Sequence, residues 1–498
     1  MSKKTKLCIF TAVFTILLVF ILIIFDEPQI SFSNASGFYE ENIELKINST
    51  KGTIYYTTDG TEPTENSIKY DGPINLEPIY NGGHVIRAIA ISNRGKSNII
   101  NGSFFIGKQI CERFKASNIV SIMTNEDLLF GEDGITVFGK EYMEWVENGE
   151  VGQQPTPNYN KRGIESEIPV VFELISDDLS FNQNVGLRLA GASTRTPDHQ
   201  VKRYNLYARN EYSNSNLFDR KIFNNIRSHK LCIRESFGTA FINKLTAQRN
   251  VTTQDSIPIS LFINGKYYYD SYLMEKYDER YFIEHYNIHE DNLLVLKNGM
   301  EEIGNGTGYE EFNKLMDFVK NNDLSIDENY NKLCQMIDIQ NYMDYMAINI
   351  YINNLDFDDT RNVVMWKAID KTSNSYEDGR WRFALYDLDA FSDGGWIIYF
   401  KIMLNTSVDD IYKINTFTYQ TPFVSTSVEN QTLFSALKTN EKFCQQFLDT
   451  FIEISDTCFD LANIEKAMNN YGYDYFTYNF LKNRKSYILE YLYDEFNK

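Results

Sequence analysis

The stretch NNLDFDDTRNVVMWK, Asn353–Lys367, places three aspartates within four positions, between two apolar runs. A second acidic segment, WRFALYDLDAFSDGG from Trp381 to Gly395, carries its aspartates at the end of another apolar, strand-like run. Carboxylates at a strand end, paired with an earlier Asp–Asn set, suit a Mg²⁺–phosphate site, because Mg²⁺ prefers oxygen ligands and takes one or two protein carboxylates. The two segments therefore predict such a site. A solvated acidic loop is the alternative.

Calcium binding by the same acids is a structural alternative. The run DFDDTRN lacks the D-x-D-x-D-G spacing of a calcium loop, and its Arg361 would oppose a bound cation. The spacing therefore favours magnesium over calcium.

The chain around these segments mixes strand-like and helix-like patterns. VVFELI and GLRLAG predict strands, SFGTAFINKLTAQRN predicts a helix, and Asn264-Gly265 predicts the turn of a hairpin. The pattern becomes helical through Asp338–Asn354 and again over Leu433–Lys498. Strands early and helices late predict an α+β fold.

The stretch GLRLAGASTRTPDHQVKRYNLYAR, Gly186–Arg209, is the densest cationic patch in the chain, with Arg195, Lys202, Arg203 and Arg209. Arginine suits bidentate phosphate contact, and lysine suits a point-charge contact with phosphate. The patch predicts phosphate binding. The alternative is a surface strand pair whose basic residues balance nearby acids.

Glu275 lies in YYYDSYLMEKYDERYF, at the end of an apolar, strand-like run. A carboxylate at that place could orient a basic residue or hydrogen-bond a ligand, and the alternative is an exposed strand edge. His285 and His289 have the i, i+4 spacing of a metal pair, but without an HExxH pattern we expect surface histidines.

Residues 28–107 have a different sequence pattern from the rest of the chain. Short alternating runs such as GTIYYTTDGTEPT are separated by Gly, Pro, Asn and Asp, which predicts an all-β sandwich. The pattern GxIYYTTDGTEPT followed by YxGPI resembles the chitobiase/hexosaminidase C-terminal-type module, an Ig-like accessory domain. That resemblance implies a spacer, with glycan contact as the alternative role.

Residues 1–27 begin with MSKKTK and continue with an uncharged apolar run, Leu7–Phe25. That length just spans a bilayer, and the preceding lysines place the following residues outside the cytoplasm by the positive-inside rule. We therefore expect a single-pass membrane anchor with an extracytoplasmic bulk at the cell surface. A cleaved signal peptide is the alternative, although IIFDEP offers no small-residue cleavage site.

The composition limits the partners. The chain has 498 residues, 43% hydrophobic and 15% aromatic, with a net charge of -20, so it is a folded, acidic, multidomain protein. Because such a protein repels nucleic acid, no nucleic-acid partner is expected. The cysteines form no CxxC pair, which argues against zinc and redox motifs.

Four blocks together carry a family resemblance: G-x-R-x-x-G-x-S-x-R…K-R-Y-x-L, NG-x-x-Y-x-x-x-Y-x-x-E-K, N-x-D-x(5)-N-x-x-x-W and Y-D-L-D-x-F. In order and approximate spacing, across about residues 115–400, they resemble the CotH (spore coat protein H-like) kinase family. The resemblance implies an atypical protein-kinase-like domain over residues 108–498, with a helical C-terminal region, transferring phosphate from ATP to serine or threonine of proteins.

The same resemblance assigns roles to individual residues. It implies a catalytic base at Asp356, although Asp358 remains an alternative, and it implies ATP with Mg²⁺ or Mn²⁺ as cofactors. It also implies that Arg195 and Lys202 bind phosphate and that Glu275 lies beside the nucleotide. The metal ligands that it implies are Asn362, Asp387 and Asp389.

The leading hypothesis is thus a membrane-anchored extracytoplasmic kinase acting on surface or coat proteins. ATP is scarce outside the cytoplasm, so a second hypothesis is a surface or envelope assembly scaffold that is catalytically inactive or weakly active. A third is a glycan-active or glycan-binding surface protein that uses a carboxylate pair.

Overall fold

The computed structural model describes residues 27–223, 226–354, 356–358, 361–389, 408–418 and 427–496. The chain divides into two compact units. Unit 1 is Met1–Arg220 with Ile259–Asp270, and unit 2 is Lys221–Pro258 with Ser271–Lys498. Within the described ranges, no helix combines the length and apolar character needed to cross a membrane. The predicted anchor, Leu7–Phe25, lies outside the described residues.

Strands are concentrated in the first two thirds of the chain. In chain order they are β1 Ile30–Phe32, β2 Gly37–Tyr39, β3 Ile43–Leu45, β4 Ile47–Ser49, β5 Thr53–Thr57, β6 Ile68–Lys69, β7 Ile74–Leu76, β8 His84–Ser92, β9 Gly95–Lys96, β10 Ile100–Ile106, β11 Asn118–Met123, β12 Ile168–Ile175, β13 Phe181–Leu189, β14 Tyr204–Tyr207, β15 Lys230–Arg234, β16 Ser256–Ile263, β17 Lys266–Glu275, β18 Leu293–Lys297, β19 Met300–Ile303, β20 Val364–Ala368 and β21 Arg382–Ala384.

The longer helices come late in the chain. In order, the α-helices are α1 Lys108–Phe114, α2 Glu126–Phe130, α3 Lys140–Glu147, α4 Asn210–Ser213, α5 Phe237–Thr246, α6 Glu279–Tyr286, α7 Gly308–Asn321, α8 Asp327–Leu333, α9 Ile339–Tyr351, α10 Thr432–Leu437, α11 Glu441–Thr457, α12 Leu461–Tyr471 and α13 Tyr475–Phe496. Strands early and helices late confirm the α+β prediction.

Unit 1 begins with the β-rich module that the sequence predicts. Its largest sheet has the order β2-β10-β8-β5-β6, with β9 paired to β8. Leu45, Ile86 and Phe104 are fully buried at the centre of the module, because alternate residues of its short strands turn inward. The predicted bounds of 28–107 and 108–498 for the two domains stay a prediction.

The remainder of unit 1 is a second sheet. Strands β11, β12, β13 and β14 pair antiparallel in succession, and β16 runs parallel to β11 with Asn118 opposite Ile259. The predicted hairpin turn is confirmed at Asn264 and Gly265, whose φ angles of 48° and 77° are both left-handed, as a tight hairpin turn requires.

An aromatic cluster joins the module to this second sheet within unit 1. Phe262 packs against Phe105 of β10 at a ring-centroid distance of 4.8 Å and against Phe114 of α1 at 5.2 Å. The last strand of the module and the sheet that follows it therefore share one hydrophobic core.

Unit 2 has a four-stranded antiparallel sheet of order β19-β18-β20-β21, and a helical core. Helix α9 is buried at every residue from Asn341 to Tyr351, so it is a central helix rather than an amphipathic surface helix. Helices α11 and α13 contribute Phe447, Phe451 and Ile488 to the same core.

Candidate active site

The register of β20 and β21 brings the two acidic segments to one end of a sheet. These strands pair antiparallel with Val364 opposite Ala384, so the start of β20 lies beside the end of β21. Asn362 precedes β20 by two residues, and Asp387 follows β21 by three. Segments that are distant in sequence therefore meet at the same end of the sheet within unit 2.

Asp356 lies in the loop between α9 and β20. Asn362 Nδ2 donates to its Oδ2 at 2.9 Å and to its main-chain oxygen at 2.8 Å, while Arg361 Nε lies 2.7 Å from Oδ1. Burial raises the pKa of Asp356, the nearby Asp387 raises it further, and Arg361 opposes both. The contribution of Asp387 to this pKa means that the two carboxylates lie within electrostatic reach.

Two asparagines shape this loop. Asn353 and Asn362 have φ angles of 54° and 51°, in the left-handed region that asparagine adopts more readily than most residues. The Asn353 side chain accepts a hydrogen bond from Thr416 Oγ1 at 2.9 Å. Because the amide nitrogen of Asn362 donates to Asp356, its amide oxygen is the atom suited to a cation.

Asp358 has different surroundings from Asp356. It is buried and lines an apolar cavity together with Met316, Tyr345 and Phe383. Between the two alternatives for the base, Asp356 is the one whose carboxylate contacts Asn362 and Arg361. Asp359 lies outside the described residues.

Asp387 is the more accessible acid of the second segment. Its side chain is 33% exposed, and its φ of 55° is left-handed. That backbone conformation is uncommon for a residue other than glycine and occurs often at functional sites. Arg234, at the end of β15, donates from Nη2 to Asp387 Oδ1.

Asp389 is buried against the first turn of α5. Its Oδ1 accepts hydrogen bonds from Ser236 Oγ, from Thr239 Oγ1 at 2.7 Å and from the Thr239 main-chain nitrogen at 3.2 Å. Its Oδ2 accepts from Arg234 Nη2. A carboxylate at a helix N-terminus satisfies free main-chain donors and interacts favourably with the helix dipole. The sequence predicts Asp389 as a metal ligand, but here both of its oxygens have protein partners.

Arg234 is the residue that sequence reasoning missed. It precedes the predicted helix in CIRESFGTA, and no pattern in that stretch points to the acidic segments more than 150 positions later. Asp387 and Asp389 raise the pKa of Arg234 well above its ordinary value, against the effect of burial. Its strand, KLCIR, begins and ends with a basic residue, so the sequence does not distinguish Arg234 from Lys230.

Glu275 is buried at the end of β17, so the exposed strand edge considered from the sequence is wrong. Its Oε2 accepts from the main-chain nitrogen of Asp255 at 3.0 Å, and its Oε1 lies 3.1 Å from His285 Nε2. His285 in turn stacks on Tyr281 at a centroid distance of 4.1 Å. The carboxylate is thus held by unit 2 itself, and His285 is not a simple surface histidine.

Arg195 and Lys202 lie in unit 1, around the turn that begins at Gly191. Arg195 donates from Nη2 to the main-chain oxygen of Leu189 at 2.8 Å, while its Nε and Nη1 are buried with no hydrogen-bond partner among the described residues. Burial and the neighbouring Arg162 lower the pKa of Arg195 to about 10. Lys202 donates from Nζ to the main-chain oxygen of Thr196, and burial lowers its pKa too.

The rest of the predicted cationic patch is partly neutralised. Arg209 Nε and Arg188 Nε each lie 2.7 Å from a carboxylate oxygen of the buried Glu167. Both guanidinium groups also lie over the Tyr207 ring, at 5.1 Å and 4.1 Å. For Arg209, the alternative of a basic residue balancing a nearby acid is therefore correct.

The donor set of unit 2 fits a magnesium ion. Over the described residues, no group of three or more His, Cys, Asp or Glu side chains is arranged to hold a metal. Magnesium does not require such a group, since it binds through one or two carboxylates with water and phosphate oxygens. Asp387, partly exposed and bound to a cationic guanidinium, and the amide oxygen of Asn362 supply suitable atoms.

The part of the chain that holds this site is similar in sequence to a known family. The sequence model of the family described as CotH kinase protein matches residues 187–475, and that described as Fn3 associated matches residues 43–104. No curated protein is found to be similar to the chain. The first match contains every residue that the sequence analysis assigned to the site, and the second lies within the β-rich module.

Proposed function

This chain belongs to the CotH kinase family, a kinase-like family, and we propose from that premise that it transfers the terminal phosphoryl group of ATP to serine or threonine hydroxyls of proteins. The observation that carries the proposal is the meeting of Asp356, Asn362 and Asp387 at one end of the sheet in unit 2. A base, a neutral oxygen donor and a metal-binding carboxylate are the parts that phosphoryl transfer requires.

In this proposal Asp356 accepts the proton of the substrate hydroxyl. Its raised pKa makes it a better proton acceptor than an ordinary aspartate, and Asn362 fixes its orientation through two hydrogen bonds. Asp387 and the amide oxygen of Asn362 would hold Mg²⁺ or Mn²⁺. When bound, the nucleotide would supply the phosphoryl group, and its metal ion would neutralise the charge of the phosphates.

Arg195, Lys202 and Glu275 complete the proposal as nucleotide-binding residues. Arg195 keeps two buried guanidinium nitrogens, Nε and Nη1, without a hydrogen-bond partner among the described residues, so it remains a phosphate candidate beside Lys202. Glu275, held by Asp255 and His285, would act through its neighbours rather than as a freely mobile acid.

Location and partners belong to the proposal as well. We propose a cell-surface protein, anchored by Leu7–Phe25, that acts on surface or coat proteins, with the β-rich module as a spacer and glycan contact as its further role. The support is the order of a basic tip, an apolar run and an accessory module ahead of the kinase-like part.

One observation favours the assembly scaffold as a second candidate. Asp387 is paired with Arg234 and Asp356 with Arg361, so the two acids most needed for transfer both have cationic protein partners. A site in which these pairs persist in the presence of nucleotide would bind proteins without phosphorylating them.

The test is phosphate transfer from labelled ATP by the full chain, with Mg²⁺ or Mn²⁺, beside Asp387→Ala. We expect the parent protein to label itself or an added protein, and the variant to lose at least ~100-fold of this activity. Asp317→Asn, an exposed acid on α7, is the matched control and should retain activity. No nucleotide binding and no transfer by the parent protein would overturn the kinase proposal and leave the scaffold.

A further inference from the structure

Arg234 forms a bridge between the two acids that follow β21. A single nitrogen, Nη2, donates to Asp387 Oδ1 and to Asp389 Oδ2, and the arginine side chain is only 13% exposed. One positive charge thus faces two negative charges in a largely buried setting. The guanidinium takes the position beside Asp387 that a cation bound to this carboxylate would need.

The two acids are held unequally. Asp389 is buried and accepts further hydrogen bonds from Ser236 and Thr239 at the start of α5, so it is fixed whether or not Arg234 stays. Asp387 is 33% exposed, and among the described residues Arg234 is the side chain that donates to it. Asp387 can therefore exchange its partner, whereas Asp389 cannot without loss of the α5 contacts.

Arg234 has the means to remain in place after such an exchange. Its bond from Nη2 to Asp389 Oδ2 does not involve Asp387, so it can persist when Asp387 binds another partner. Asp389 alone is a sufficient counter-charge, because a buried ion pair needs one well-placed carboxylate.

We propose that Arg234 is a positioning residue that holds Asp387 in the metal-free chain and yields it to an arriving divalent cation while keeping Asp389. The proposal rests on the proposed function for the identity of Asp387 as a metal ligand. It makes metal binding and the Arg234–Asp387 contact mutually exclusive. By linkage, whatever strengthens that contact weakens metal binding, and the reverse.

The proposal predicts opposite changes in Mn²⁺ affinity for two substitutions. Arg234→Gln removes the competing cation and should tighten Mn²⁺ binding ~10-fold or more. Asp389→Asn leaves Arg234 with Asp387 as its sole acid, and should weaken Mn²⁺ binding by a similar factor. A merely structural role for Arg234 would weaken binding in both variants.

The experiment is a titration of the full chain with Mn²⁺ alone, in the absence of nucleotide, followed by electron paramagnetic resonance of free Mn²⁺. The parent, Arg234→Gln, Asp389→Asn and the double variant form a double-mutant cycle. If Asp389 acts through Arg234, Asp389→Asn has little effect in the Arg234→Gln background. If Asp389 is itself a metal ligand, Asp389→Asn weakens Mn²⁺ binding in the parent and in the Arg234→Gln background alike, and the proposal is overturned.

Arg234→Lys protects the test against a folding defect. It keeps the charge but replaces the planar guanidinium by a compact ammonium group. We expect its Mn²⁺ affinity to lie between the affinities of the parent and of Arg234→Gln. Unchanged or weaker affinity in both Arg234 variants, with binding still lost in Asp387→Ala, overturns this inference alone. Absence of Mn²⁺ binding in the parent and in every variant overturns the metal site of the proposed function as well.

Discussion

Arg484 of helix α13 donates from Nε to the main-chain oxygen of Tyr351, at 3.0 Å, across 133 positions of the chain. Tyr351 is the last residue of α9, directly before the loop that carries Asp356. Arg484 is fully buried and donates in addition to the main-chain oxygens of Tyr412 and Ile414. A cation that satisfies helix-end carbonyls therefore connects the C-terminal helix to the start of the candidate catalytic loop.

The first prediction concerns this contact. Arg484→Met should lower the free energy of unfolding by about 3 kcal/mol, because several buried carbonyl oxygens lose their donor. Phosphate transfer should fall as well, since the loop after Tyr351 loses its support. Thermal unfolding and the labelling assay measure the two effects. Lys485→Met, which breaks an exposed ion pair between the same helix and Asp456 of α11, is the control and should change neither by much.

The second prediction is a pH dependence of stability in unit 1. Glu173 is buried in β12, and burial raises its pKa from 4.5 to about 7, while bonds from Ser103, Ser36 and Asn182 oppose the rise. Because the folded pKa exceeds the unfolded one, the folded chain binds the extra proton. Stability is therefore greatest below the unfolded pKa and is lost as the pH rises towards about 7.

The magnitude follows from the size of that shift. We expect the Glu173 contribution to fall by about 3 kcal/mol between pH 4.5 and pH 7. Denaturant unfolding of the parent and of Glu173→Gln across this range tests it. The variant has no charge to bury, so it should be more stable than the parent above pH 7. Parallel pH profiles for the two proteins would contradict the prediction.

The third prediction separates the two candidates for the base. Asp356→Asn should lower kcat by ~100-fold or more, with little change in stability, because it removes the proton acceptor but keeps its shape. Asp358→Asn should retain most of the transfer rate, since Asp358 lines the apolar cavity. Steady-state kinetics on both variants decide between them. The reverse order of effects would assign the base to Asp358.

The fourth prediction compares two cations of unit 1. Lys202→Ala should weaken nucleotide binding by ~10-fold or more, because a phosphate would lose a point-charge contact. Arg209→Ala should leave nucleotide affinity unchanged and lower stability by about 1–2 kcal/mol, because Arg209 pairs with the buried Glu167. Nucleotide titration and thermal unfolding of both variants measure this. Equal loss of affinity in the two would show that the whole patch binds phosphate.

Sequence patterns predicted the elements of this fold well where the pattern is local. The period-2 runs gave the β-rich module and the strand pair at 168–189, Asn264-Gly265 gave the turn between β16 and β17, and apolar spacing gave α5 and the C-terminal helices. Each of these depends on side-chain period or on backbone preference within a few residues. The family match at 187–475 agrees with the four sequence blocks for the same reason.

Charged partners were harder to predict, because they come from distant parts of the chain. Arg195 and Arg209 are similar in the sequence, yet one supports a turn through main-chain oxygens and the other pairs with Glu167. Glu275 appeared as an exposed edge residue, but burial at the end of β17 gives it Asp255 and His285 as partners.

The sequence by itself determined the fold class, the family and the acids of the candidate site, because these depend on residue type, spacing and period. Only the tertiary structure decided which of these acids has which partner. Pairing Val364 with Ala384 brings Asp356 and Asp387 together, and the docking of α5 buries Asp389 and presents Arg234 to both acids. Hydrogen bonds and ion pairs form only between atoms within about 4 Å of each other, so they follow from register and packing rather than from position along the chain.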